Sequence, residues 1–125
     1  MRQVGRKDTA PEMCVRRYLH AAGLRFRLHL RTLPGSPDLV LARRATVIFV
    51  NGCFWHGHHC KHGRIAARSN ADYWRAKIAG NRERDRRNAR ALRTMGWHVE
   101  TVWECECECD SQPRLEALVQ RLAHR

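Results

Sequence analysis

Acidic residues are scarce in this chain: 12 Asp and Glu stand against 24 Lys and Arg, for a net charge of +12 over 125 residues. So one-sided a balance points to a polyanionic partner, whether DNA, RNA or an anionic membrane surface. Long apolar runs are missing too. None approaches the roughly 18 residues of a membrane span. The opening "MRQVGRKDTAPE" lacks the apolar stretch of a secretion signal. A cytoplasmic protein is therefore expected, with its thiols reduced. In that compartment six cysteines imply metal binding or packing rather than disulfides. There is no low-complexity run, internal repeat or dividing linker, and 43% of the residues are hydrophobic. That composition argues against disorder, and residues 1–125 are expected to form a single domain.

Local signals order the elements. Thr9-Ala10-Pro11-Glu12 reads as a helix start with a capping box, Val15, Tyr18, Leu19 and Ala22 follow at helical spacing, and Gly23 can end the helix. Leu24, Phe26, Leu28 and Leu30 alternate with Arg25, Arg27, His29 and Arg31, as in a half-exposed strand. Pro34-Gly35-Ser36-Pro37 is a turn, and residues 38–41 and 46–50 read as buried strands. The longest helical candidate covers 71–95. Its apolar part is Trp74, Ile78, Ala89, Leu92 and Met95, its basic part includes Arg82, Arg84 and Arg87, and Gly96 can close it. Trp97, Val99, Thr101 and Trp103 alternate as a strand, and Leu115, Leu118, Val119 and Leu122 mark a final amphipathic helix. The predicted order α-β-β-β-α-β-α describes a small mixed sheet flanked by helices, an α/β fold.

"NGCFWHGHHC" at 51–60 gathers two cysteines and three histidines. Zinc prefers four Cys or His ligands in a tetrahedron, and Cys53, His58 and Cys60 have the short spacing that lets one loop supply three. Any of Cys105, Cys107 and Cys109 in "WECECECD" can be the fourth. Four protein ligands leave no open position, so the zinc would be structural. The spacing is not that of a two-Cys, two-His finger. Phe54 and Trp55 lie between the ligands; in a basic protein such a pair can wedge between base pairs. The aromatic body of a core is the competing role.

Phosphodiester cleavage calls for carboxylate oxygen to hold a hard cation such as Mg²⁺, and for a base to activate water. Asp38 follows Pro37 and opens a buried strand, the layout of the PD-(D/E)xK nuclease core. The Glu-x-Lys half of that motif is absent: Val50-Asn51-Gly52-Cys53 stands in its place. His56, just beyond, is the candidate base.

Those residues resemble the very short patch repair (Vsr) DNA mismatch endonucleases. The likeness rests on "KDTAPE" at 7–12, "LPGSPDLV" at 33–40, "VIFVNGCFWHGHHC" at 47–60, "YWRAKIAGNRERDRRN" at 73–88 and "GWHVETVWEC" at 96–105. It implies a PD-(D/E)xK-like, restriction-endonuclease-like fold modified by a structural zinc site. The implied activity is nicking of one DNA strand 5′ to the thymine of a T·G mismatch, the lesion left by deaminated 5-methylcytosine, with Mg²⁺ as catalytic cofactor. Asp38 matches the Mg²⁺-binding carboxylate and Val50 the main-chain carbonyl ligand. His56 matches the catalytic histidine, and Glu12 the helix glutamate that supports the waters around the metal. Cys53, His58, Cys60 and Cys105 match the zinc ligands. Phe54, Trp55 and Trp74 match the aromatics inserted beside the mismatch, and Arg82, Arg84 and Arg87 are expected on DNA phosphates.

The family also implies a bacterial protein working on the nucleoid, with mismatch-repair proteins and a companion cytosine methyltransferase as partners. A single nick needs only a monomer. Three features depart from the family. Asn51 replaces a second active-site histidine; it can hydrogen-bond a phosphate or water but cannot shuttle a proton. The segment ahead of "KDT" is short, which weakens the expected grip on DNA. Cys107 and Cys109 have no counterpart role. Two other readings compete: a sequence-specific or broader mismatch-nicking restriction-type enzyme on the same fold, and a zinc-stabilised DNA-binding module that does not cut. The joint presence of Asp38, His56 and Glu12 favours an enzyme.

Overall fold

A computed structural model describes residues 10–51, 71–104 and 112–125. Helix α1 (Ala10–Ala21) leads into strand β1 (Arg27–Leu28), then β2 (Leu39–Leu41), a 3-10 turn (Ala42–Arg44) and β3 (Thr46–Asn51). Helix α2 (Ala71–Thr94), strand β4 (His98–Trp103) and helix α3 (Gln112–Ala123) complete the described elements. The sheet order is β1-β2-β3-β4. β1–β2 and β2–β3 pair antiparallel, whereas β3 and β4 run parallel across the α2 crossover, from Thr46↔His98 to Asn51↔Trp103. The mixed sheet and its three helices match the α/β order expected from the sequence.

Alternation along the strands divides the core between two faces. Leu39, Leu41, Ile48 and Val102 pack with Val15 and Leu19 of α1 and Leu115, Leu118 and Leu122 of α3. Val40 and Val47 point the other way and pack with Leu92 of α2. The sheet therefore lies between α1 and α3 on one side and α2 on the other. Both predicted glycine stops end their helices with the same bond pattern. Leu24 N–H donates to the Leu19 carbonyl and Trp97 N–H to the Leu92 carbonyl, each at 3.0 Å, while Gly23 and Gly96 donate to His20 and Arg93. These are Schellman closures. At the far end of the sheet, Arg44 donates to the Leu122 carbonyl at 2.8 Å and so caps α3.

Two expectations need correcting. The half-exposed strand over 24–31 contracts to Arg27–Leu28, with Leu28 itself 39% exposed. Leu24 is committed to the closure of α1, and His29 adopts φ +51°, which breaks the alternation. Met95, expected on the apolar stripe of the long helix, is 56% exposed. The helix stops at Thr94, and Trp97 rather than Met95 packs beside Leu92.

The turn ahead of β2 is held against α2. Gly35 has φ +78°, and a Cβ there would lie 3.0–3.1 Å from the Asn88 side chain. A left-handed backbone and a close approach both favour glycine at this position. Gly35→Ala is expected to destabilise the fold by about 1–2 kcal/mol, measured as a shift in the urea midpoint. An unchanged midpoint would show that the turn relaxes away from α2 without cost.

Candidate active site

One end of the sheet gathers the start of β2 and the finish of β3 and β4, because β2 is antiparallel and β4 parallel to β3. Asp38 sits there and is fixed by its backbone on both sides. Its N–H donates to the Ile48 carbonyl at 3.1 Å, and its carbonyl accepts from His29 N–H at 3.0 Å. The carboxylate reaches along the strand end, where Oδ2 accepts from Val50 N–H at 2.7 Å. The half-buried acid that opens this strand is thereby hydrogen-bonded rather than stranded.

Glu12 lies in the first turn of α1 and is only 2% exposed. Taking a carboxylate out of water is costly unless a counter-charge meets it. Arg16, one turn on, supplies that charge at 2.5 Å from Oε2, and the helix amino terminus adds a favourable field. His29 comes to the same oxygen: its Nε2 lies 2.7 Å from Glu12 Oε2. Despite the short distance, this contact is not aligned as a hydrogen bond, and the buried Nε2 has no hydrogen-bond partner among the described residues. Ligand atoms of Glu12, His29 and Asp38 all lie within 4.8 Å of one another. Two carboxylates and an imidazole nitrogen without a hydrogen-bond partner are a donor set that fits a divalent cation.

The structure thus brings Glu12 and Asp38 together with the Val50 main chain, and adds His29, which sequence reasoning missed. In the sequence His29 reads as one of the polar residues alternating with Leu28 and Leu30. Its left-handed backbone, which costs roughly 1–2 kcal/mol for a residue with a Cβ, turns the side chain out of that pattern. Asn51 ends β3, half-buried and in register with Trp103. Arg82, Arg84 and Arg87 are exposed on α2. Arg84 donates to Asn81 Oδ1 at 3.0 Å. Arg86 pairs with Glu83 at 2.6 Å, and this guanidinium holds the Glu83 carboxyl below its usual range. Trp74 belongs to α2, but its side chain lies outside the description. Cys53, Phe54, Trp55, His56, His58, Cys60 and Cys105 lie outside the described residues.

A mixed sheet flanked by helices, with a carboxylate at the head of β2, is consistent with the restriction-endonuclease-like class of α/β folds. The family model for the DNA mismatch endonuclease Vsr matches residues 1–62. A type II nicking enzyme of Xanthomonas oryzae, V.XorIIP, is 53% identical over 106 residues, covering 85% of this chain and 77% of the relative. The DNA mismatch endonuclease Vsr of Escherichia coli is 42% identical over 122 residues, 98% of this chain and 78% of the relative. The type II nicking enzyme V.NmeAIP of Neisseria meningitidis is 41% identical over 124 residues, 98% and 88% respectively. The chain belongs to the Vsr family of DNA endonucleases.

Proposed function

We propose that this protein is a mismatch-repair nickase that cuts one strand of duplex DNA 5′ to the thymine of a T·G mismatch. The observation that carries the reading is the convergence of Asp38, Glu12 and His29 at the strand ends of a Vsr-family chain. A non-cutting module has no use for such a cluster. Asp38 and the Val50 carbonyl would hold Mg²⁺. By strand geometry a residue's N–H and C=O point the same lateral way, so the Val50 carbonyl accompanies the N–H that meets Asp38. A divalent cation bound there would supply Lewis-acid stabilisation of charge developing on the phosphate. Glu12, neutralised and oriented by Arg16, would order water beside the phosphate. His56 would take the proton from the attacking water, and Asn51 would hydrogen-bond the phosphate.

Cys53, His58, Cys60 and Cys105 would hold a structural zinc. Support comes from β3 and β4 ending in register at Asn51↔Trp103, since the segments carrying Cys53 and Cys105 leave from neighbouring strand ends. Phe54, Trp55 and Trp74 would wedge beside the mismatch, where a partly unstacked pair makes insertion cheaper. The protein would act as a monomeric single domain over 1–125 in the bacterial cytoplasm, alongside mismatch-repair proteins and a cytosine methyltransferase. No helix among the described residues is long and apolar enough to cross a membrane.

The test is nicking of end-labelled duplexes, matched and with each single mismatch, with and without Mg²⁺. Cleavage confined to T·G supports the reading; equal cleavage of matched DNA overturns it. Relatives named as type II nicking enzymes favour a second possibility, dependence on the flanking sequence, which the same assay reads with varied flanks.

The exposed arginines of α2 would meet phosphates. Arg84→Ala and Arg87→Ala are each expected to reduce the slope of log affinity against log salt by about 1, with mismatch preference little changed. Unchanged slopes in both variants would mean that α2 faces away from DNA.

A further inference from the structure

We infer that His29, through Nε2, is a protein ligand of the divalent cation at Asp38, giving this site a nitrogen donor. The inference rests on the reading of the Asp38 cluster as a cation site. Three observations lead to it. First, Nε2 is buried and lacks a hydrogen-bond partner among the described residues, although Glu12 Oε2 lies 2.7 Å away. An imidazole nitrogen that lies among carboxylates without an aligned hydrogen bond has its lone pair available to a cation.

Second, the backbone commits the side chain to this place. His29 takes a left-handed φ of +51°, and its N–H donates to the carbonyl of Asp38 itself. The backbones that carry the imidazole and the carboxylate are therefore tied to each other by a hydrogen bond. Third, charge leaves a place for a neutral donor. Glu12 and Asp38 already bring two carboxylates to the cluster. A neutral imidazole adds ligation without adding charge.

A nitrogen donor changes metal preference. Oxygen-only sites suit Mg²⁺, whereas imidazole raises affinity for first-row transition dications. This protein should therefore bind Mn²⁺ and Co²⁺ more tightly than Mg²⁺, and replacing His29 should narrow that difference.

The experiment is Mn²⁺ titration of the purified 125-residue protein, with pulsed electron paramagnetic resonance of the bound ion. Nitrogen modulation from an imidazole is expected in the wild type. It should change to the ¹⁵N pattern in protein made with ¹⁵N-histidine, an arm that needs no substitution and so does not depend on a variant's folding. His29→Asn keeps a residue type that tolerates the left-handed backbone. It should lose the modulation and bind Mn²⁺ roughly tenfold more weakly, with a smaller change for Mg²⁺. His56→Gln should keep the modulation.

Bound Mn²⁺ without histidine modulation would overturn the assignment. So would modulation that survives His29→Asn and disappears in His56→Gln. If Asp38→Asn binds Mn²⁺ as the wild type does, the cation site itself has been misread and the inference falls with it.

Discussion

Asp38→Ala is expected to abolish nicking of a T·G duplex while leaving binding to that duplex close to wild type. The carboxylate does two things at the strand end. It accepts the Val50 N–H at 2.7 Å, and it lies within the cluster of Glu12 and His29. Removing it would take away one of the two carboxylates of the cluster. Cation-assisted charge stabilisation contributes several kcal/mol, so the rate should fall by about 10³-fold or more. Alanine also leaves the Val50 N–H without its acceptor, which costs about 1–3 kcal/mol if that group stays dry. Asp38→Asn separates the two effects, because its amide oxygen can still accept from Val50. Equal loss of nicking in both variants, with melting preserved in Asp38→Asn, would assign the defect to chemistry. Normal nicking by Asp38→Asn would place the cation elsewhere.

Cys60→Ala should collapse the fold's thermal stability rather than only its activity. A structural zinc site contributes its binding free energy to folding, about 10–16 kcal/mol in small zinc-binding peptides at neutral pH. That is comparable with the whole stability of a typical domain, about 5–15 kcal/mol. The sheet explains why the effect should be global: β3 and β4 end together at Asn51↔Trp103, and a tetrahedral clamp joining the chains that leave them would lock the parallel pair. Metal analysis should give one zinc per chain, with Cys107→Ser neutral in both metal content and melting. A zinc-free protein that melts with the wild type would exclude the clamp.

Helices, strands and their order were legible because each obeys a local rule. Gly23 and Gly96 stop helices where apolar periodicity ends. The apolar runs at 38–41 and 46–50 become β2 and β3, which pair as neighbours, and Leu115, Leu118 and Leu122 share one buried face. The candidate site was legible only in part. Asp38 stands out because acids rarely open buried strands. Glu12 was identified through family likeness alone; as a sequence feature it is one more first-turn acid. His29 could not be read, since alternation assigns it to the polar side of a strand and only the positive φ moves it to the cluster. The short β1 was hidden for the same reason. The exposure of Met95 depended on tertiary packing, in which Trp97 takes the space beside Leu92.

The division of the core sets the order in which a newly made chain can complete the packing around the Asp38 cluster. Glu12, His29, Asp38 and Val50 all leave the ribosome early. The face of the sheet beneath α1 is finished only by Leu115, Leu118 and Leu122 of α3, and β3 gains its parallel neighbour only when residues 98–103 arrive. Until then α1, β2 and β3 lack the partners that α3 and β4 supply. A fragment ending after β3 would carry the cluster residues without the packing of α3 and β4 beside them.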